Sequence, residues 1–225
     1  MDIKTQYNTF HSTYSENFDV ENELSNRLFH ETIDSSLRGK KLLDIGCGDG
    51  TDCAVLATRG AEIYGVDPSI EFIEKARDAV LSGVFKEGVG EKLPFNDKSF
   101  DIVVSKWALQ TSPNVPAVLS EAARILKTGG ELIILSKHPV MQWLEKIRDY
   151  GHGADYYRQQ TVTSNIYDGR IMLKEPSHTM NEYLNSDFFR NFELINFREE
   201  TEFPASEQLN GDIYPTFFII KARRK

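Results

Sequence analysis

The sequence predicts an α/β fold, a mainly parallel sheet with helices packed on both faces. Between residues 41 and 138, short aliphatic runs alternate with amphipathic stretches of helical length. Such alternation implies right-handed crossovers between parallel strands. The first run ends in Gly46-Cys47-Gly48-Asp49-Gly50, where an open sheet would turn into its first helix. The composition is that of a folded domain: 225 residues, 40% hydrophobic and 27% charged, enough to build one core and too apolar for wholesale disorder.

Four segments follow. Residues 1–40 read as a polar helical lid, 41–138 as the ligand-binding core, 139–192 as a cap insertion with a helix, and 193–225 as an edge hairpin. In the core, Lys41–Ile45 is a strand that stops at glycine. Thr51–Arg59 is helical, and Gly60 closes it as a C-cap does. Glu62–Val66 is the next strand. Asp67-Pro68-Ser69 follows, with Ser69 placed to cap a helix running through Val80. Val84–Glu87 is assigned as a strand by the rhythm of the alternation. Phe100–Ser105 is a strand, Val115–Leu126 a helix ended near Gly129-Gly130, and Glu131–Leu135 a further strand. From residue 139 the chain reads as irregular and aromatic. Ile166 to Ile171 hold an Asp-Gly turn between apolar residues, a hairpin signal. Thr179–Asn191 reads as one helix, and Phe192–Glu200 and Tyr214–Ala222 as the edge hairpin.

Composition also excludes function classes. The formal net charge of −8 opposes a general nucleic-acid coat, which needs a basic field. Aliphatic runs reach only four residues, as in Leu132–Leu135, far short of a membrane span. The two cysteines, Cys47 and Cys53, neither staple a fold of this size nor have the partners of a zinc site, so no metal is expected. A reducing, cytoplasmic setting is the expectation.

The glycine loop carries the sharpest chemical signal. Its backbone turns tightly and leaves amides open to a ligand. Asp67 lies 23 residues beyond Asp44, at the end of the next strand, where a carboxylate accepts two hydrogen bonds from a ribose diol. A nicotinamide site asks for Gly-x-Gly-x-x-Gly, but Thr51 stands at the third glycine. Asp44 would repel a pyrophosphate and suits an ammonium or a sulfonium. The competing structural account is a simple turn with Asp44 as a cap.

Asp44-Ile45-Gly46-Cys47-Gly48-Asp49-Gly50 resembles the first motif of the class I S-adenosylmethionine-dependent methyltransferases, and Val66-Asp67-Pro68-Ser69 resembles their second. Glu91-Lys92-Leu93-Pro94-Phe95 with Ser99-Phe100-Asp101 is similar to the approach to their fourth strand. Leu126-Lys127-Thr128-Gly129-Gly130 is similar to the turn before their fifth. The resemblance covers 41–138 well, 1–40 and 178–222 loosely, and 139–177 hardly at all. It implies a Rossmann-like seven-stranded sheet with an antiparallel last strand.

The resemblance also implies roles. Gly46, Cys47 and Gly48 present backbone to the methionine end of S-adenosylmethionine, with Asp44 near its ammonium. Asp67 holds the ribose hydroxyls, and Pro68 packs on adenine. Gly90 and Glu91 edge the adenine, although the family's frequent Asp two residues before Glu91 is Val89 here. Ser105 and Lys106 lie beside the sulfonium. Tyr14, in a segment that resembles the family's N-terminal lid, reaches the cofactor carboxylate. Trp107, Gln110 and His138 border the acceptor pocket.

Methyl transfer needs an aligned nucleophile in a dry pocket. Where the acceptor must lose a proton, histidine is the usual base at neutral pH. His138, in a His-Pro pair resembling that of small-metabolite methyltransferases, and His178 at the last helix are the candidates. Tyr14 joins them as a candidate catalytic residue, while His30 and His152 have no such context. The leading expectation is methyl transfer to O, N or C of a small metabolite, releasing S-adenosylhomocysteine, with no nucleic-acid or membrane partner. The alternatives are a methyltransferase acting on RNA or protein and a non-catalytic cofactor-binding module. Against RNA, Ser105-Lys106-Trp107-Ala108 stands where base-amine methyltransferases commonly place Asn/Asp-Pro-Pro-aromatic.

Overall fold

A computed structural model describes residues 4–10, 22–166, 169–202 and 214–225. Two helices open it, α1 (residues 4–10) and α2 (Glu23–Thr32). The core then runs β1 (Lys41–Ile45), α3 (Thr51–Thr58), β2 (Glu62–Asp67), α4 (Ile70–Ala79), β3 (Val84–Glu87), β4 (Phe100–Lys106), α5 (Val115–Ile125) and β5 (Leu126–Lys137). Beyond it come α6 (Pro139–Tyr150), β6 (Thr161–Ile166), β7 (Ile171–Pro176), α7 (Met180–Tyr183), α8 (Ser186–Asn191), β8 (Phe192–Glu200) and β9 (Phe217–Arg224).

Seven strands form one sheet in the order β3-β2-β1-β4-β5-β9-β8. Pairings among β1 to β5 are parallel, and β9 runs antiparallel between β5 and β8. This is the Rossmann-like sheet with an antiparallel last strand that the sequence predicts. Alternate residues feed opposite faces. Leu43, Leu132 and Ile134 join a core with α5, Tyr183 and Phe188. Leu42, Ile133 and Leu135 join another with Leu28 and Phe29 of α2, Leu56 of α3 and Ile73 of α4. Both faces are covered, which is why the strands read as continuous aliphatic runs rather than alternating ones.

Ser69 caps α4 as its position implies, its hydroxyl accepting from Phe72 N at 3.3 Å. The short β3 is present and pairs with β2. β6 and β7 pair as a separate two-stranded sheet; Asp168 of its turn lies outside the described residues.

Four segments differ from the sequence expectation. The stretch after residue 138 is not irregular at its start. It is α6, with Pro139 in its first turn and the His138 ring accepting from Val140 N. The aromatic content masked an ordinary proline-led helix start. The helix expected over Thr179–Asn191 is two short ones. Asn185 turns its side-chain oxygen to the amides of Asp187 and Phe188 and starts α8 afresh. The fifth strand begins at Leu126, because Leu126 pairs with Phe100 before a bulge carries the register to Ile102–Glu131. The last strand begins at Phe217 rather than Tyr214 and takes in the basic tail: Arg224 donates to the carbonyls of Ala123 and Asn191. Among the described residues, no helix is long and apolar enough to cross a membrane.

Candidate functional site

The order of the sheet reverses between β1 and β4, so the loops leaving them diverge and open a crevice at the carboxyl ends of the strands. A cavity lies there, in the position where open α/β sheets bind ligands. The turn from β1 into α3 contributes Gly46, Cys47, Gly48, Asp49, Thr51 and Asp52. The end of β2, the link after it and the first turn of α4 contribute Asp67, Pro68 and Phe72. The segment leaving β4 contributes Lys106, Trp107, Ala108 and Thr111, and α1 contributes Tyr7.

The glycine turn is shaped by close approach. Gly46 has φ 79°, and a Cβ there would lie 2.2 Å from the Ala108 Cβ. Its amide and that of Cys47 both donate to Val66 O, at 2.7 and 3.1 Å, and tie the turn to β2. Gly46→Ala is therefore expected to destabilise the protein by about 2–3 kcal/mol, from an enforced clash and a left-handed backbone. Chemical denaturation would measure it. Trp107 also has positive φ, 55°. A bulky residue there stores backbone strain, and such strain gathers at functional sites.

Two buried carboxylates flank the turn. Asp67 accepts from Gly48 N at 3.0 Å and Ser69 N at 2.9 Å. Burial nevertheless pushes its pKa up to about 6. Asp44 is the last residue but one of β1 and is buried. Its Oδ2 accepts from the Cys53 thiol at 3.6 Å, while its buried Oδ1 has no partner among the described residues. Burial, with repulsion from Asp52, raises its pKa to about 7. An orphaned buried carboxylate oxygen is costly, and a cation supplied by a ligand would satisfy it. Asp52 is the third acid. Against burial, the His30 hydrogen bond and the Lys106 ammonium hold its pKa below the usual range. Burial pushes the Cys47 and Cys53 thiols well up, so both stay protonated.

The structure brings Gly46, Cys47, Gly48, Asp67, Pro68, Lys106 and Trp107 to one cavity, whereas Asp44 is buried and does not line it. Other expected site residues sit elsewhere. Ser105 is buried and its hydroxyl donates to Ile45 O. Gly90 is packed so closely that a Cβ would lie 3.0 Å from Ile45 and Val118, and Glu91 accepts from the Ser112 hydroxyl. Gln110 is buried and donates to Trp107 O.

Neither candidate histidine lines the cavity. His178 Nδ1 faces Glu182 at 3.1 Å and its Nε2 faces Gln110 O at 3.2 Å, in full burial. His138 caps α6 through Nδ1 and meets Glu199 through Nε2 at 2.7 Å. Burial lowers the pKa of His138 despite Glu199. Both rings are committed to the core side of the sheet's end, a consequence of tertiary packing that spacing does not reveal. His138→Ala is expected to cost about 1 kcal/mol of stability through the lost cap. The affinity for S-adenosylhomocysteine should stay within about threefold, since the ring does not reach the cavity. Parallel unfolding and calorimetry would check both. Tyr14 lies outside the described residues.

Sequence reasoning missed Asp52, Phe72 and Thr111 as cavity residues. Asp52 is the second residue of α3 and Phe72 the third of α4, so both sit on helix first turns facing the crevice. That shared position is the signal that would have found them.

Residues 43–134 match the family model for a methyltransferase domain. An uncharacterised methyltransferase of Synechocystis sp. is 33% identical over 108 residues, 47% of this chain and 51% of that protein. A demethylmenaquinone methyltransferase of Tropheryma whipplei is 34% identical over 104 residues, 45% of this chain and 44% of that protein. The chain thus spans about half the length of the curated relatives it matches. Among solved structures, an S-adenosylmethionine dependent methyltransferase from Mesorhizobium loti superposes with a TM-score of 0.69 at 21% identity, covering 88% of this chain and 96% of that one. At that identity the likeness is one of fold, and it agrees with the sheet order described above. With its crevice at the reversal of a seven-stranded sheet and its glycine turn inside the matched segment, this chain is similar over residues 43–134 to methyltransferase domains and shares the fold of solved S-adenosylmethionine dependent methyltransferases.

Proposed function

We propose that the protein transfers a methyl group from S-adenosylmethionine to O, N or C of a small molecule. One observation carries the cofactor half of this reading. Asp67 and the Gly46–Gly48 turn border a single cavity, and the buried Oδ1 of Asp44, two residues before that turn, has no partner among the described residues. The residues fit a ligand that is cationic at one end and a nucleoside at the other. When bound, S-adenosylmethionine supplies a methyl group made electrophilic by its sulfonium.

The chain's own groups do the rest. Asp67 accepts from both ribose hydroxyls. Pro68 and Phe72 offer an apolar side to the base. Asp44 attracts the ammonium. The Gly46–Gly48 backbone allows close approach where side chains would intrude. Tyr7, whose ring lies 6.1 Å from that of Phe72, narrows the opening and helps to exclude water. Trp107, Ala108 and Thr111 face the crevice after β4 and are the residues we place nearest the acceptor. His178 supports that region from behind through Gln110, whose side-chain oxygen accepts from the Ser136 hydroxyl.

The small-molecule half is supported by the cavity's acidic lining, which disfavours a polyanionic acceptor. The name of the Tropheryma whipplei relative, a demethylmenaquinone methyltransferase, points the same way. Calorimetric titration with S-adenosylmethionine and S-adenosylhomocysteine tests the first half: absence of heat for both removes it. Labelled methyl transfer to small-molecule extracts against total RNA and protein tests the second, and RNA or protein as the labelled fraction overturns it.

A further inference from the structure

Helix α1 bridges the core and the cap. On the core side, Tyr7 lines the cavity, its ring 6.1 Å from that of Phe72, and Lys4 pairs with Glu87 at the end of β3. On the cap side, Ile171 and Leu173 of β7 pack with Tyr7, Phe10 and Ile166 in a small core of their own. Gln6 adds a pair of hydrogen bonds. Its Nε2 donates to Lys174 O at 3.0 Å, and its Oε1 accepts from Lys174 N at 2.8 Å. A side-chain amide thus meets the outer edge of β7 as a further strand would. Gln6 is 5% exposed, so water competes little for that pair.

The hairpin is the fixed side of this contact. Glu175 of β7 is buried, with Oε1 2.6 Å from Nζ of Lys137 at the end of β5, and it accepts from the Ser164 hydroxyl of β6 at 2.8 Å. Gln142 of α6 donates to Pro176 O at 3.1 Å. Thr163 of β6, opposite Lys174, donates its N–H to Asp149 of α6 at 2.7 Å. By contrast, α1 spans only residues 4–10, too short to persist as a helix alone. What it docks on decides where it lies. The hairpin is also outside residues 43–134, so the matched family segment implies nothing about its role.

We infer that Gln6 latches α1 to the edge of β7, so that the cap hairpin holds Tyr7 over the cavity and sets how often the cavity opens to its ligand. The inference rests on the reading that the cavity takes S-adenosylmethionine. Gln6 is a positioning residue: it is not among the cavity's lining residues and acts through Tyr7. A latch that does not touch the ligand favours the closed form equally with and without it. Such a latch slows entry and escape by the same factor and leaves affinity unchanged.

Surface plasmon resonance with S-adenosylhomocysteine tests this, because it reads both rates and their ratio. In Gln6→Ala, association and dissociation should both quicken about 5- to 100-fold, the worth of two hydrogen bonds, with Kd within about threefold of the parent. A merely structural role would quicken dissociation alone and weaken Kd. Lys174→Pro removes one of the two bonds from the β7 side. The N–H it deletes points to Gln6, so no bond between β6 and β7 is lost. Both rates should then rise about 2- to 10-fold, and the double variant should match Gln6→Ala. Lys174→Pro decides the matter if Gln6→Ala fails to fold. Unchanged rates in the variants, or faster dissociation with a matching loss of affinity, overturn the inference while leaving the cofactor reading in place. Failure of the unmodified protein to bind S-adenosylhomocysteine removes the cofactor reading itself, and the inference with it.

Discussion

Asp67→Ala will lower the affinity for S-adenosylmethionine about 10³-fold, equivalent to about 4 kcal/mol. Two charge-assisted hydrogen bonds to a ribose diol are lost together, and neither neighbour replaces them. Gly48 N and Ser69 N, the present partners of this carboxylate, are donors, and the diol needs an acceptor. Calorimetry on the variant and the parent measures the loss. A loss below about tenfold would show that the sugar is held elsewhere.

A pH dependence accompanies it. The carboxylate must be ionised to accept from both hydroxyls, and burial places its pKa at about 6. Affinity should fall as pH drops through 7, where Asp44 gains its proton, and again through 6, where Asp67 does. A carboxylate at its ordinary value of 3.8 would show that fall only at much lower pH. Asp67→Ala should remove the part of the dependence centred near 6 and leave the part that Asp44, with a pKa of about 7, contributes.

Asp44→Asn will move stability and binding in opposite directions. The native pKa of about 7 lies above the ordinary 3.8, so between those values the folded protein binds a proton that the unfolded chain does not. The stability this group contributes is fully present below about pH 4 and is lost as pH rises through 7. Above pH 7 the buried charge costs about 4 kcal/mol, at about 1.4 kcal/mol for each pH unit of difference. Asparagine imitates the neutral form. The variant should therefore be more stable than the parent at pH 8, by about 3 kcal/mol, with a gain that shrinks as pH falls toward 4.

The same change should weaken S-adenosylhomocysteine binding by about 10- to 100-fold, because an ammonium loses its anionic partner. Thermal unfolding across pH, with calorimetry at pH 8, tests the pair of effects. A stabilised variant that binds as tightly as the parent would show that the acid is not an ammonium site. Stability gained at the expense of affinity is what a preformed cation site predicts, since the charge is buried before its ligand arrives.

Much of the parallel core was legible because its signals are local. Strands such as Leu132–Leu135 are buried on both faces and so are aliphatic throughout. Ser69 announces α4 through a single hydroxyl. The segment after residue 138 was harder. The His138-Pro139 start of α6 is a local signal, but it lies in an aromatic stretch that reads as loop. The break between α7 and α8 turns on whether Asn185 folds its side chain onto the following amides or lets the helix run on. That choice is set by what Tyr183 and Phe188 pack against on α5 and β9, which neighbouring residues do not encode.

The candidate site divides in the same way. Glycines at fixed offsets and acids at strand ends follow from the turn that β1 must make, so Gly46, Gly48, Asp44 and Asp67 stand out along the chain. Which polar side chains face the crevice is a matter of packing. His138 and His178 looked available, yet the folded protein seals them against Glu199, Glu182 and Gln110.

By itself, the order of residues determined the crossovers, the turn and the two acids, because each depends on backbone geometry within a few positions. Only the tertiary structure decided that Asp52, Asn26 and His30 gather around Lys106. Those four come from three elements far apart in sequence, and they meet because α2 buries Leu28 and Phe29 in the core beside β4. Burial of apolar surface fixes that meeting, and the charges are brought together by it.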